Sequence, residues 1–245
     1  MSKQTPGRIY LADQRGLTET AQFRRYSTFN FGSYAHEHKK ALGSLLAVNE
    51  EMVAGLQHIT LRAQQTSHVV IVPITGAIEV KDSFGTTYIA DVGEVQVITL
   101  PVASTLVLTN PYEADVVSFL HLWIKAEESI MPAFNYSFHF DLDLVDNKLA
   151  NLVPGSEANS SKSLLPFSLH LGRFAGRHET VYQASDAGSL LFTFVVAGAF
   201  EVEGRLLHEK DGLGLWETTG IELEALSNNA LVVVLEVNSN GQKLA

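Results

Sequence analysis

Gly93-Glu-Val-Gln-Val-Ile-Thr-Leu-Pro-Val-Ala-Ser-Thr-Leu-Val-Leu-Thr-Asn110 decides the fold of this chain. A glycine opens it, a β-branched run follows, Pro101 interrupts, and a second β-branched run ends on asparagine. The pattern reads as two short strands, 94–99 and 104–109, joined by a turn. Working outward, the same signature recurs at 58–62, 68–74, 77–82, 86–90 and 115–124, with Gly, Asn, Asp or Ser between the runs. Helical periodicity is poor throughout; Glu127–Ile130 and Ala184–Ala187 are single turns at most. Closely spaced short strands with this punctuation are the mark of an all-β sandwich or barrel.

The series then repeats at 167–174, 178–183, 189–196, 199–208, 213–216, 220–225 and 230–237. Gly76-Ala-Ile-Glu-Val80 and Gly198-Ala-Phe-Glu-Val202 nearly coincide, 122 residues apart. A tandem duplication explains both this spacing and the chain length of 245 residues. The expected domains are 1–140 and 141–245, with Phe138–Asp143 pairing as a strand of the second half. The segment 147–163 between the halves reads as a loop at its Gly-, Asn- and Ser-rich end.

A hydrophobic content of 46% against 18% charged residues suits a globular core. The net charge of −10 argues against electrostatic binding of nucleic acid or an anionic membrane, which needs a basic face. Without cysteine there are no disulfides, thiolate metal sites or cysteine nucleophiles. The N-terminal residues contain no apolar signal segment, and no apolar run approaches the roughly 20 residues of a membrane span, so a cytoplasmic protein is expected. The elbow of serine hydrolases, the phosphate-binding loop and the dinucleotide glycine fingerprint are all missing.

The opening stretch resembles the second conserved motif of the cupins, which carries a metal-binding histidine and closes with an asparagine. Gly93, Pro101 and Asn110 match it, and Leu106 stands at the histidine. Ile74-Thr-Gly-Ala-Ile-Glu-Val-Lys-Asp-Ser-Phe-Gly85 is similar to the pirin hairpin Glu-Gly-Ala-Leu-Glu-His-Arg-Asp-Ser-Leu-Gly. Arg25-Tyr-Ser-Thr-Phe-Asn-Phe-Gly-Ser-Tyr34, Leu46-Ala-Val-Asn-Glu-Glu-Met-Val53 and Leu120-His-Leu-Trp-Ile124 resemble further pirin elements. Gly198–Gly204 followed by Asp211–Trp216 looks like the second half of quercetinase-like pirins. The resemblance spans roughly residues 8–238. It implies an all-β bicupin: two tandem double-stranded β-helix (jelly-roll) barrels with an N-terminal arm, as a monomer.

Counted back from Gly76 at pirin spacing, the first-motif ligand positions fall on Arg62, Gln64 and His68. With Leu106, all four metal-ligand positions of the family have changed identity. Strand alternation would set Arg62, Gln64 and His68 on one inward face, with His121 reaching the same interior and Val70, Leu106 and Leu108 beside them. Such a donor-rich cup suits a small anion or carboxylate, because a guanidinium offers a fork that burial strengthens. On this reading the N-terminal barrel binds a small molecule without any cofactor. The resemblance leaves two alternatives: a flavonol-cleaving, quercetinase-like dioxygenase using Fe, Cu, Mn or Ni on His68 and His121, and a protein-interaction module of regulatory role. The arginine opposes the metal, since it stays charged and repels a cation.

Other histidines are expected to be bland. Arg177-His178-Glu179, His170 and His208 in the second half restore no ligand pair, and Glu201 and Glu203 read as solvated. His36-Glu37-His38 precedes two lysines in a polar, exposed loop, and Asp13, Arg15 and Gly16 resemble a structural tie of the family's N-terminal arm.

Overall fold

The computed structural model describes residues 4–127, 135–141, 145–155 and 165–238. Its strands are β1 (Gly7–Tyr10), β2 (Gly16–Glu19), β3 (Phe23–Ser27), β4 (Leu45–Val53), β5 (His58–Arg62), β6 (Ser67–Thr75) and β7 (Ile78–Asp82). Next come β8 (Thr87–Ala90), β9 (Glu94–Leu100), β10 (Thr105–Thr109), β11 (Val117–Lys125), β12 (Asn135–His139), β13 (Ala150–Val153) and β14 (Phe167–Phe174). The chain closes with β15 (Glu179–Gln183), β16 (Leu190–Ala197), β17 (Phe200–Val202), β18 (Arg205–Leu207), β19 (Gly212–Leu215), β20 (Gly220–Ala225) and β21 (Ala230–Val237). Among the described residues, no helix is long and apolar enough to cross a membrane.

Two compact units result: one of residues 15–139, the other made of Met1–Gln14 with Phe140–Ala245. The first unit packs a seven-stranded sheet, β12-β9-β6-β11-β4-β3-β2, on a four-stranded one, β5-β10-β7-β8. Inward residues of both sheets, such as Val69, Ile71, Ile98 and Phe119 from the larger and Leu61, Val80, Leu106 and Leu108 from the smaller, form one apolar cluster. The second unit repeats this plan with β1-β19-β16-β21-β14-β13 on β15-β20-β17-β18 around its own core. Each buried aliphatic side chain contributes about 1.5–3 kcal/mol, so two such cores carry both units.

Local chemistry closes the turns. Gly76 sits at φ +68°, a conformation L-residues avoid, and a Cβ there would meet Tyr112 and Val117 at 3.0 Å. Asn110 is fully buried and acts as a staple. Its Nδ2 donates to the Val53 and Asp115 carbonyls at 2.8 and 2.7 Å, and its Oδ1 accepts from the Tyr112 amide at 2.9 Å.

Three expectations change at the ends. The terminal strand expected at 138–143 is instead β12, which pairs with β9 in the first unit from Asn135↔Ile98 to His139↔Glu94; residues 142–144 lie outside the described residues. The N-terminal arm does not join the first unit: β1 runs antiparallel to β19, from Gly7↔Leu215 to Tyr10↔Gly212. A short glycine-rich strand such as β19 would otherwise be an open sheet edge, and β1 covers it. The continuous run 199–208 splits into β17 and β18 around Gly204, at φ +68°. The segment Ala184–Ala187 is bend and turn, whereas 128–130 fall outside the described residues.

Candidate functional site

The inward parity of β5 differs by one residue from the sequence count. Ile59, Leu61 and Ala63 are buried, whereas Thr60, Arg62 and Gln64 are exposed. Pairing decides this: Leu106 of β10, which faces the core, sits opposite Leu61. A one-residue slip moves every side chain of a strand to the other face. The gap-free count back from Gly76 therefore lands on the wrong parity, with the loop Ala63–Thr66 absorbing the extra residue. Arg62 and Gln64 do not line the barrel core.

His68 is corrected as well. On β6 the core-facing residues are Val69 and Ile71, so His68 and Val70 point to the opposite face of the sheet. His68 is nonetheless buried, shares a 2.8 Å hydrogen bond with Thr99 Oγ1, and has its pKa lowered to about 4 by desolvation. His121 does face the interior, alternating with Phe119 and Trp123 on β11. His68 and His121 thus lie on opposite faces of one sheet and cannot ligate the same ion.

What His121 meets is a polar cluster that the sequence reading did not assemble. His121 Nε2 donates to Glu51 Oε1 at 2.8 Å, and Trp123 Nε1 donates to His121 Nδ1 at 2.8 Å. Arg25 Nε donates to the same Glu51 oxygen. Indole N–H can only donate, so Nδ1 is an acceptor and the proton resides on Nε2. Burial pushes the His121 pKa down, against the upward pull of Glu51, and the neutral ring follows. Phe31 closes over the ring edge-on at 5.4 Å and lies 5.0 Å from the Arg25 guanidinium.

Above this cluster opens a cavity of about 520 Å³. Its walls include Phe31 and Trp123, and Ala47 and Leu61 also line it. Arg25, Lys40 and Arg62 bring positive charge to it, with Gln64, Gln65 and Asn30 as neutral donors. Among the described residues, no Asp or Glu lines it. Two of the sequence-predicted residues, Arg62 and Gln64, therefore do meet at a cavity, by way of the barrel rim rather than its core. Leu106, His68 and His121 are not part of its lining.

The residues facing inward where a cupin metal would sit do not fit one. Ile59 and Leu61 hold the inward positions of β5, opposite Leu108 and Leu106 of β10, Ala63 follows β5 directly, and all five are in the apolar core. None offers a lone pair to a metal, which needs three or four N or O ligands converging on a point. Among the described residues, no three His, Asp or Glu side chains are gathered in that way elsewhere.

In the second unit, His170 and Glu236 face inward with Tyr182. Glu236, 1% exposed, accepts from Tyr182 Oη at 2.6 Å and from the Ser185 amide and hydroxyl at 2.9 and 2.6 Å. Burial and this carboxylate raise the Tyr182 pKa, and desolvation lowers that of His170 to about 4. His178 stacks on Phe174 at 5.5 Å, Arg177 reaches Glu224 at 3.1 Å on the surface, and His208 and Glu201 are exposed. Glu203 lies in the turn at φ +49° and bonds Thr5 at 2.9 Å. His36 and His38 are exposed, and their ring centroids are 5.7 Å apart.

Comparison with known proteins agrees with this architecture. Residues 166–237 match the family described as quercetinase C-terminal cupin domain. The chain is 22% identical over 228 residues to the quercetin 2,3-dioxygenase of Escherichia coli (strain K12), covering 92% of this chain and 97% of that protein. The crystal structure of YhhW from Escherichia coli superposes with a TM-score of 0.82 at 17% identity, over 97% of this chain and all (100%) of that one. Bacterial pirin YhhW in complex with nickel(II) does so with a TM-score of 0.77 at 18% identity, over 95% and 99%. The chain thus has the two-barrel fold of these structures, its residues 166–237 match the quercetinase C-terminal cupin domain, and along nearly its whole length it is similar to pirin and quercetinase-like cupins.

Proposed function

We propose that this bicupin binds a small organic anion, carboxylate being the first choice, in the cavity at the rim of its N-terminal barrel, and does so without a metal. One observation carries the reading: a chain of net charge −10 gathers Arg25, Lys40 and Arg62 around a cavity with no carboxylate among its described lining residues. Cations concentrated on one concave surface of an acidic protein focus an anion there. The Phe31 and Trp123 walls add apolar area for a planar or aliphatic body. The apolar residues at the inward positions of β5 and β10 support the metal-free part of the proposal.

Calorimetric titration of benzoate and related carboxylates tests it. Binding should weaken at least tenfold in the double variant Lys40→Glu with Arg62→Glu, whose exposed positions leave folding intact. No binding to the unmodified protein rejects the proposal. The names of the relatives favour a second reading, a quercetin-cleaving dioxygenase. A stoichiometric transition metal in the purified protein, found by elemental analysis, would move that reading to the front.

A further inference from the structure

Below the cavity, the barrel interior keeps polar atoms that the protein itself does not satisfy. Asn49 is 0% exposed, and neither its Nδ2 nor its Oδ1 has a hydrogen-bond partner. Glu51 Oε2 is in the same position, its other oxygen taking both Arg25 and His121. Gln96 Oε1, on β9 of the same sheet, is also unpartnered. Register puts two of these residues, Asn49 and Gln96, on one level with His121: Asn49 lies opposite His121, His121 opposite Ile71, and Ile71 opposite Gln96. All share the inward parity of Val53, Phe119 and Ile98. An unsatisfied buried polar group costs about 1–3 kcal/mol, and native interiors rarely tolerate one, let alone a carboxamide with both ends empty.

Ala47 and Trp123 line the rim cavity, and Asn49 and His121 are the next inward residues on their strands, about 7 Å deeper. Ala47 has the smallest side chain that β4 could offer above Asn49 without bending the strand. Arg25 spans both levels, with Nε on Glu51 and its guanidinium lining the cavity. The unsatisfied set contains three acceptor oxygens, on Asn49, Glu51 and Gln96, against one donor group, the Asn49 amide nitrogen. Its complement is a neutral group rich in O–H donors.

We infer that this inner level is a hydroxyl-recognition site, so that the favoured ligand is a hydroxylated organic carboxylate: anionic end at Arg25, Lys40 and Arg62, hydroxyl end on Asn49 and Glu51 Oε2. The inference rests on the anion-binding reading and deepens it by naming the ligand class. A ligand hydroxyl that satisfies buried acceptors discriminates strongly against the analogue lacking it, because that analogue leaves them empty.

The test titrates the full-length protein with benzoate and 4-hydroxybenzoate in parallel. The unmodified protein should bind 4-hydroxybenzoate at least tenfold more tightly, and Asn49→Leu should reduce that ratio to within about twofold. Should Asn49→Leu fold poorly, Gln96→Leu puts the same question from β9, at the other end of this level on the same sheet. Equal affinities for the two probes, or a preference that survives both substitutions, overturns the inference and leaves the inner atoms to buried water, with the anion site intact. Failure of both probes to bind rejects the anion site and the inner site together.

Discussion

His121 shows how a buried residue takes its state from its partners. With Trp123 donating to Nδ1 and Glu51 accepting from Nε2, a second ring proton would confront an indole N–H. The ring is therefore neutral, and the only full charges in the cluster are Arg25 and Glu51, which pair. Removing one member of such a pair leaves the other desolvated. Glu51→Ala should lower the unfolding free energy by about 3–5 kcal/mol in urea titrations, more than the loss of one exposed ion pair. His68 supplies a pH handle. Its pKa falls from 6.5 to about 4 on folding, so between these values the unfolded chain binds more protons than the folded one. Stability contributed by His68 is complete above 6.5 and declines as the pH drops toward 4, by up to about 3 kcal/mol. Urea midpoints measured across that window should fall with acid, and His68→Gln should flatten the slope. A slope unchanged by the substitution would assign acid sensitivity elsewhere, with His170 the next group to substitute.

At the scale of the strand, β5 carries two different surfaces. Ile59 and Leu61 fill the core, and Arg62 edges the cavity. Leu106→Ala, opposite Leu61, should cost about 2–5 kcal/mol, whereas Arg62→Ala should stay within about 0.5 kcal/mol and show its effect on carboxylate affinity. Chemical denaturation and titration of the two variants separate the faces. β4 is the less readable element. Asn49-Glu50-Glu51 interrupts its apolar run, and the strand series read from the sequence starts only at residue 58. In the structure β4 is a central strand paired on both sides, by β3 and β11, and the polar trio is buried. Local pattern could not reveal this, because the partners that make a buried glutamate tolerable, Arg25 and His121, are 26 and 70 residues away.

Across the whole molecule, the duplication conserves positions and changes their chemistry. The inner level Asn49–His121–Ile71–Gln96 of the first unit corresponds by register to His170–Val234–Thr193–Leu213 of the second. In the second unit the polar weight moves to Glu236, Tyr182 and Ser185, which bond mainly one another and read as a structural clasp. Tyr182→Phe should therefore lower thermal stability by roughly 1–3 kcal/mol while leaving carboxylate affinity unchanged; altered affinity would bring the second unit into ligand binding. Sequence alone determined most of the strand series from residue 58 onward, the repeat, the turn glycines and the family likeness, because these depend on neighbours in the chain: side-chain alternation, turn chemistry and short motifs. Only the tertiary structure decided which parity of β5 faces inward, that β1 completes the second unit, and that Arg25, Glu51 and His121 meet. Strand register is set by pairing between distant segments, and one residue of slip, invisible in composition or periodicity, exchanges core for solvent along the whole strand.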